Sequence, residues 1–119
     1  MSELTPLEKL VIDIQEAGQS WVEAKLQSDQ LESDEKNFLA ALMNDLEKAF
    51  DKISEAKLDR LARGSKDFRN YVTGRVLAQA ETGRKKVRYE SCLNYWEAKR
   101  SQLAFERVKV EKGIFHVGK

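Results

Sequence analysis

"GRKKVRYESCLNYWEAKR", residues 83–100, is the stretch on which the fold turns. Tyr89, Cys92, Leu93 and Trp96 recur at three- and four-residue steps, so this stretch predicts a helix with one packing face. Arg84, Lys85, Lys86 and Arg88 form a basic shoulder just before that face. Downstream, Leu103, Val108 and Val110 extend the stripe with some drift, and a helix over 84–112 would be roughly 43 Å long. Gly113 is the expected C-cap, with Ile114 folding back onto Val108. Gly83 is a candidate hinge. Gly64–Ser65 is a candidate break upstream, with Gly64 ending one helix and Ser65 capping the next.

The same periodicity runs through the first half. Thr5 is an N-cap candidate, Pro6 suits the first helical position, and Glu8 completes the pattern of a capping box. Leu7, Leu10, Val11, Ile14, Ala17, Trp21 and Ala24 follow as a helical stripe. Gly18 within it weakens the helix and lets another helix come close. "QSDQLESDEK", residues 27–36, is polar, and Ser33 is the expected cap of a second helix bearing Phe38, Leu39, Leu42, Leu46 and Phe50. Ser54 is the cap expected for the next.

These readings give one helical domain over residues 1–119. The fold class is all-α: an antiparallel bundle or hairpin of three to four helices with a long C-terminal helix. Strict heptads are not sustained, which argues for an irregular bundle or hairpin over an extended coiled coil. One proline and 34 % charged residues agree with long helices and a thin core.

Composition limits the chemistry. A single cysteine, Cys92, and a single histidine, His116, exclude histidine-pair and CxxC metal sites. No phosphate-binding loop is present. Catalysis is not expected, and neither is a cofactor. No apolar run reaches the ~20 residues of a membrane span, and the N-terminus lacks the basic flank and apolar centre of a secretory leader. The one cysteine suits a reducing, cytoplasmic setting.

Charge is divided along the chain. Residues 1–50 carry 4 basic and 11 acidic side chains, and residues 51–119 carry 17 and 9. Two functional readings follow. In one, the halves neutralise each other and the helix surfaces serve protein partners; a homodimer is the expected state, because a thin core leaves apolar surface to cover. In the alternative, the basic half binds single- or double-stranded DNA. Its phosphate contacts would be Arg84, Lys85, Lys86 and Arg88, with Arg60, Arg63, Lys66 and Arg69 upstream. Tyr89, Tyr95 and Trp96 would then stack on bases. Within the basic half, "RKKVR" reads as the segment with least local neutralisation.

Residues 53–113 resemble small helical phage and prophage proteins of unassigned function, often encoded near replication and recombination genes. The resemblance lies in Leu58, Leu61 and Ala62, followed by a tyrosine-bearing long helix with Arg100–Ser101 and Glu106–Arg107. It implies a helical fold and a role in phage DNA metabolism inside a bacterial host. It supplies no catalytic residues.

Overall fold

The computed structural model describes the backbone of residues 3–117 and the side chains of residues 3–110. Three helices follow in order: α1 Pro6–Ala49, α2 Glu55–Gly64 and α3 Lys66–Val117. The long α1 and α3 lie antiparallel, and α2 tucks in at the closed end of this hairpin. The molecule measures 97 × 33 × 17 Å.

Local chemistry sets the helix ends. The Thr5 hydroxyl accepts the Glu8 N–H at 3.1 Å, with Pro6 first in the helix. Ser54 caps α2 in the same way, its hydroxyl accepting the Lys57 N–H at 3.2 Å. Ser65 serves two helices. Its hydroxyl donates to the Ala62 carbonyl at 2.6 Å and accepts the Phe68 N–H at 3.2 Å. One serine thereby closes α2 and opens α3, satisfying end groups that water would otherwise have to meet.

Three expected interruptions do not occur. α1 passes through Ser33 without a break. Nothing between residues 27 and 36 breaks a helix, and Asp34 and Glu35 find partners along and across it. Gln30 bonds Asp34 at 2.8 Å, and Arg75 of α3 reaches Glu35 at 2.7 Å. α3 likewise passes through Gly74, Gly83 and Gly113 to Val117, so Gly83 is no hinge and Gly113 no C-cap. No glycine among the described residues has a positive φ. A Cβ at Gly74 or Gly83 would meet nothing within 4 Å. Replacing either by alanine is therefore expected to raise stability by about 0.5–1 kcal/mol, read as a shift in urea midpoint. A loss would show that these glycines do bend α3 in solution.

The seam between the long helices follows a three–four alternation. Among the covered positions on α1, Leu10, Ile14, Ala17, Trp21, Ala24, Ser28, Leu31, Glu35, Phe38 and Leu42 form one such run. On α3 the run is Phe68, Tyr71, Arg75, Ala78, Thr82, Lys85, Tyr89, Cys92, Trp96 and Lys99. This is heptad spacing, sustained where apolar residues alone do not show it, because Ser28, Glu35, Arg75, Thr82, Lys85 and Lys99 occupy seam positions.

The seam has three parts. At the closed end, Leu39, Ala62 and Phe68 are buried, with Phe38, Leu42, Met43, Leu46 and Val72 around them and Leu58 buried on α2. Phe38 stacks on Tyr71 with ring centroids 4.5 Å apart. In the middle, polar contacts bridge the helices. Tyr71 donates to the Leu31 carbonyl at 2.6 Å, and Thr82 donates to the Ala24 carbonyl at 3.1 Å. Towards the open end, Trp21 meets Tyr89 with centroids 5.5 Å apart. A Cβ on Gly18 would lie 3.0 Å from the Tyr89 ring, so the glycine provides the close approach expected of it. Trp96, expected as core, is only half-buried, as are Tyr89, Cys92 and Leu93. A two-helix seam covers a large ring on one side only.

Candidate functional site

The basic residues singled out by sequence do not lie in one stretch. Arg60 and Arg63 lie on α2, while Lys66 and Arg69 lie in the first turn of α3. Arg63 is held by Asp59 at 3.0 Å. The second cluster begins at Arg84, fifteen residues and about 22 Å further along α3.

Nor is "RKKVR" free of local neutralisation. Arg84 bonds Glu81 at 2.6 Å, Lys85 approaches the same carboxylate at 3.7 Å, and Lys86 lies 3.9 Å from Glu90. Lys85 sits in the seam beside α1. Among the described residues, Arg88 alone of the four makes no ion pair. The Arg84 hydrogen bond and charge, with a smaller contribution from Lys85, hold the Glu81 carboxyl below its ordinary range. That stabilising effect is present near neutral pH and is lost as acid protonates Glu81. The pairs are exposed, so they anchor the side chains weakly.

The aromatic row is divided as well. Tyr89 and Trp96 face α1, and only Tyr95 is exposed. Tyr71 is committed to Leu31. Desolvation, with the charges of Asp34 and Glu35, raises its hydroxyl pKa, and Arg75 partly opposes this. The neutral, donating form is thereby favoured. Its contribution holds below the ordinary tyrosine value and is lost as pH rises through the raised one.

Apolar side chains are the more prominent surface feature. Val22, Leu26, Val76, Leu77 and Val87 are exposed along the hairpin. At the open end Leu4, Leu7, Val11, Tyr95, Leu103, Phe105, Val108 and Val110 are exposed too. Between the helices there, Thr5, Pro6, Leu7, Leu10, Tyr95, Lys99 and Leu103 line a hollow of about 330 Å³. Leu103, Val108 and Val110, expected on a packing stripe, are exposed: Leu103 lies beside the start of α1, and Val108 and Val110 lie beyond it.

The chain exposes 9679 Å². A compact monomer of its 13.7 kDa would expose about 6,600 Å². No described helix is long and apolar enough to cross a membrane. Among the described residues, no group of three or more His, Cys, Asp or Glu side chains is placed to hold a metal ion. The chain matches no family model, no curated protein and no solved structure.

Proposed function

We propose that this chain is a non-catalytic interaction protein that engages other polypeptides through its helix surfaces. It is phage- or prophage-associated and acts in the cytoplasm of a bacterial host, a setting that the resemblance of residues 53–113 to phage-type helical proteins supports. The observation that carries the reading is the surface: an extended hairpin about half again as exposed as a compact chain, with large apolar side chains along both long helices. Apolar area of this kind is stabilised by association. DNA binding has less support, because Glu81 and Glu90 neutralise most of the basic cluster and the rest is split between two places.

A photo-crosslinking side chain at Leu77 or Val87 tests this in host cells, beside a salt series of binding to single- and double-stranded DNA. The expected adducts are polypeptides that survive nuclease. In the salt series, Lys85→Ala with Lys86→Ala should change neither the affinity nor its salt dependence. Nuclease-sensitive adducts would overturn the reading. So would a salt slope that flattens by roughly 1–2 units in the double variant.

A further inference from the structure

We propose that the open end of the hairpin is completed by a second copy of this chain, each α3 extension lying along the first turns of the other's α1. The inference rests on the interaction reading above and names the partner.

The register of the hairpin produces the extension. Thr82 meets Ala24, Tyr89 meets Gly18, and Leu103 shares a hollow with Thr5 and Pro6. α1 therefore starts opposite residues near 103, while α3 continues to Val117. Residues 104–117 run past the end of α1 for about 21 Å. Phe105 is 67 % exposed and Val110 62 %, and Val108 is exposed beside them. No part of α1 extends far enough to cover this ridge.

The first turns of α1 supply a matching surface. Leu4, Leu7 and Val11 recur at three- and four-residue steps and are exposed. Charge matches as well. Residues 3–16 hold four acidic side chains and one basic, and residues 104–117 hold three basic and two acidic, so the two segments carry opposite net charge. Both halves of the contact are on every chain, so a two-fold axis across the open ends satisfies both at once. A standard interface removes about 800 Å² from each partner, well within the chain's excess of about 3,000 Å² over a compact monomer.

Sedimentation equilibrium and native mass spectrometry of designed charge variants test the proposal. The wild-type chain is expected to be dimeric at tens of micromolar. Phe105→Glu with Val108→Glu should weaken the dimer at least about tenfold with helix content retained, whereas Leu77→Glu should leave it intact. A second pair of variants separates this contact from any other. One carries Arg107→Glu and Lys109→Glu, the other Glu8→Lys and Asp13→Lys. Each alone opposes like charges at both contacts and should be monomeric. Mixed, they restore opposite charges at both contacts and should form heterodimers. A monomeric wild-type chain at 100 micromolar would overturn the proposal. So would a dimer that survives the glutamates at 105 and 108, or a mixture that yields no heterodimer. A monomer that still crosslinks to other polypeptides through Leu77 or Val87 would remove the second copy and leave the interaction reading standing.

Discussion

Phe68→Ala is expected to cost about 3 kcal/mol, the largest loss of any single truncation in the chain. Phe68 is 7 % exposed and packs with Leu39 and Ala62 where all three helices meet. Removing a buried phenylalanine side chain loses its transfer free energy and leaves a cavity, together about 3–5 kcal/mol. The lower figure applies because the surrounding core is thin enough to collapse partly. Among the described residues no large side chain is fully buried, so little else can compensate. The same residue stands three after Ser65, which joins α2 to α3. Its loss therefore loosens the α2 docking as well as the hairpin. Urea unfolding followed by circular dichroism should show a lower midpoint, with a slope close to wild type. Trp96→Ala provides the comparison. Its half-buried ring should cost roughly half as much. Equal losses would show that the closed end is not the main source of stability.

The second large effect has the opposite sign. Glu35→Leu combined with Arg75→Leu should raise stability by about 1–3 kcal/mol. The two side chains meet at 2.7 Å on facing seam positions and are 31 % and 24 % exposed. Holding an ion pair there means partial desolvation of both charges, which the pair's attraction offsets only in part. Two leucines would instead join Leu31 and Phe38 to Ala78 and Tyr71 in a continuous apolar seam. Each single substitution should destabilise, because it strands the other charge between helices. Thermal melts of both singles and the double separate these terms. A double variant less stable than wild type would mean that the pair contributes more than its desolvation cost. The pair also fixes the alignment of the helices, since any slip of the register would separate it.

Helix ends governed by neighbouring residues were legible in the sequence. Thr5, Ser54 and Ser65 cap where their side chains can reach an N–H three residues on, and that is a local property. Ser33 has the same chemistry, yet the helix continues through it. Packing against α3, forty residues away, decides the matter there through the Glu35–Arg75 and Leu31–Tyr71 contacts. The heptad seam was hidden for a related reason. Ser28, Thr82 and Lys85 are covered by a partner helix, but nothing in their side chains announces it. Neutralisation of Arg84 and Lys85 by Glu81 was readable from three- and four-residue spacing, which outweighs the density of positive charge. The exposed extension of α3 depends on the register between two long helices, which no local pattern specifies.

Polar contacts in the middle of the hairpin bridge the long helices, a small core closes one end, and the other end exposes apolar side chains. Small-angle X-ray scattering across a concentration series tests this most directly. At infinite dilution the radius of gyration should approach the 26.6 Å of the extended hairpin. It should rise with concentration as open ends pair and the particle lengthens. A value near the roughly 13–14 Å of a compact chain of this length, unchanged with concentration, would contradict the account.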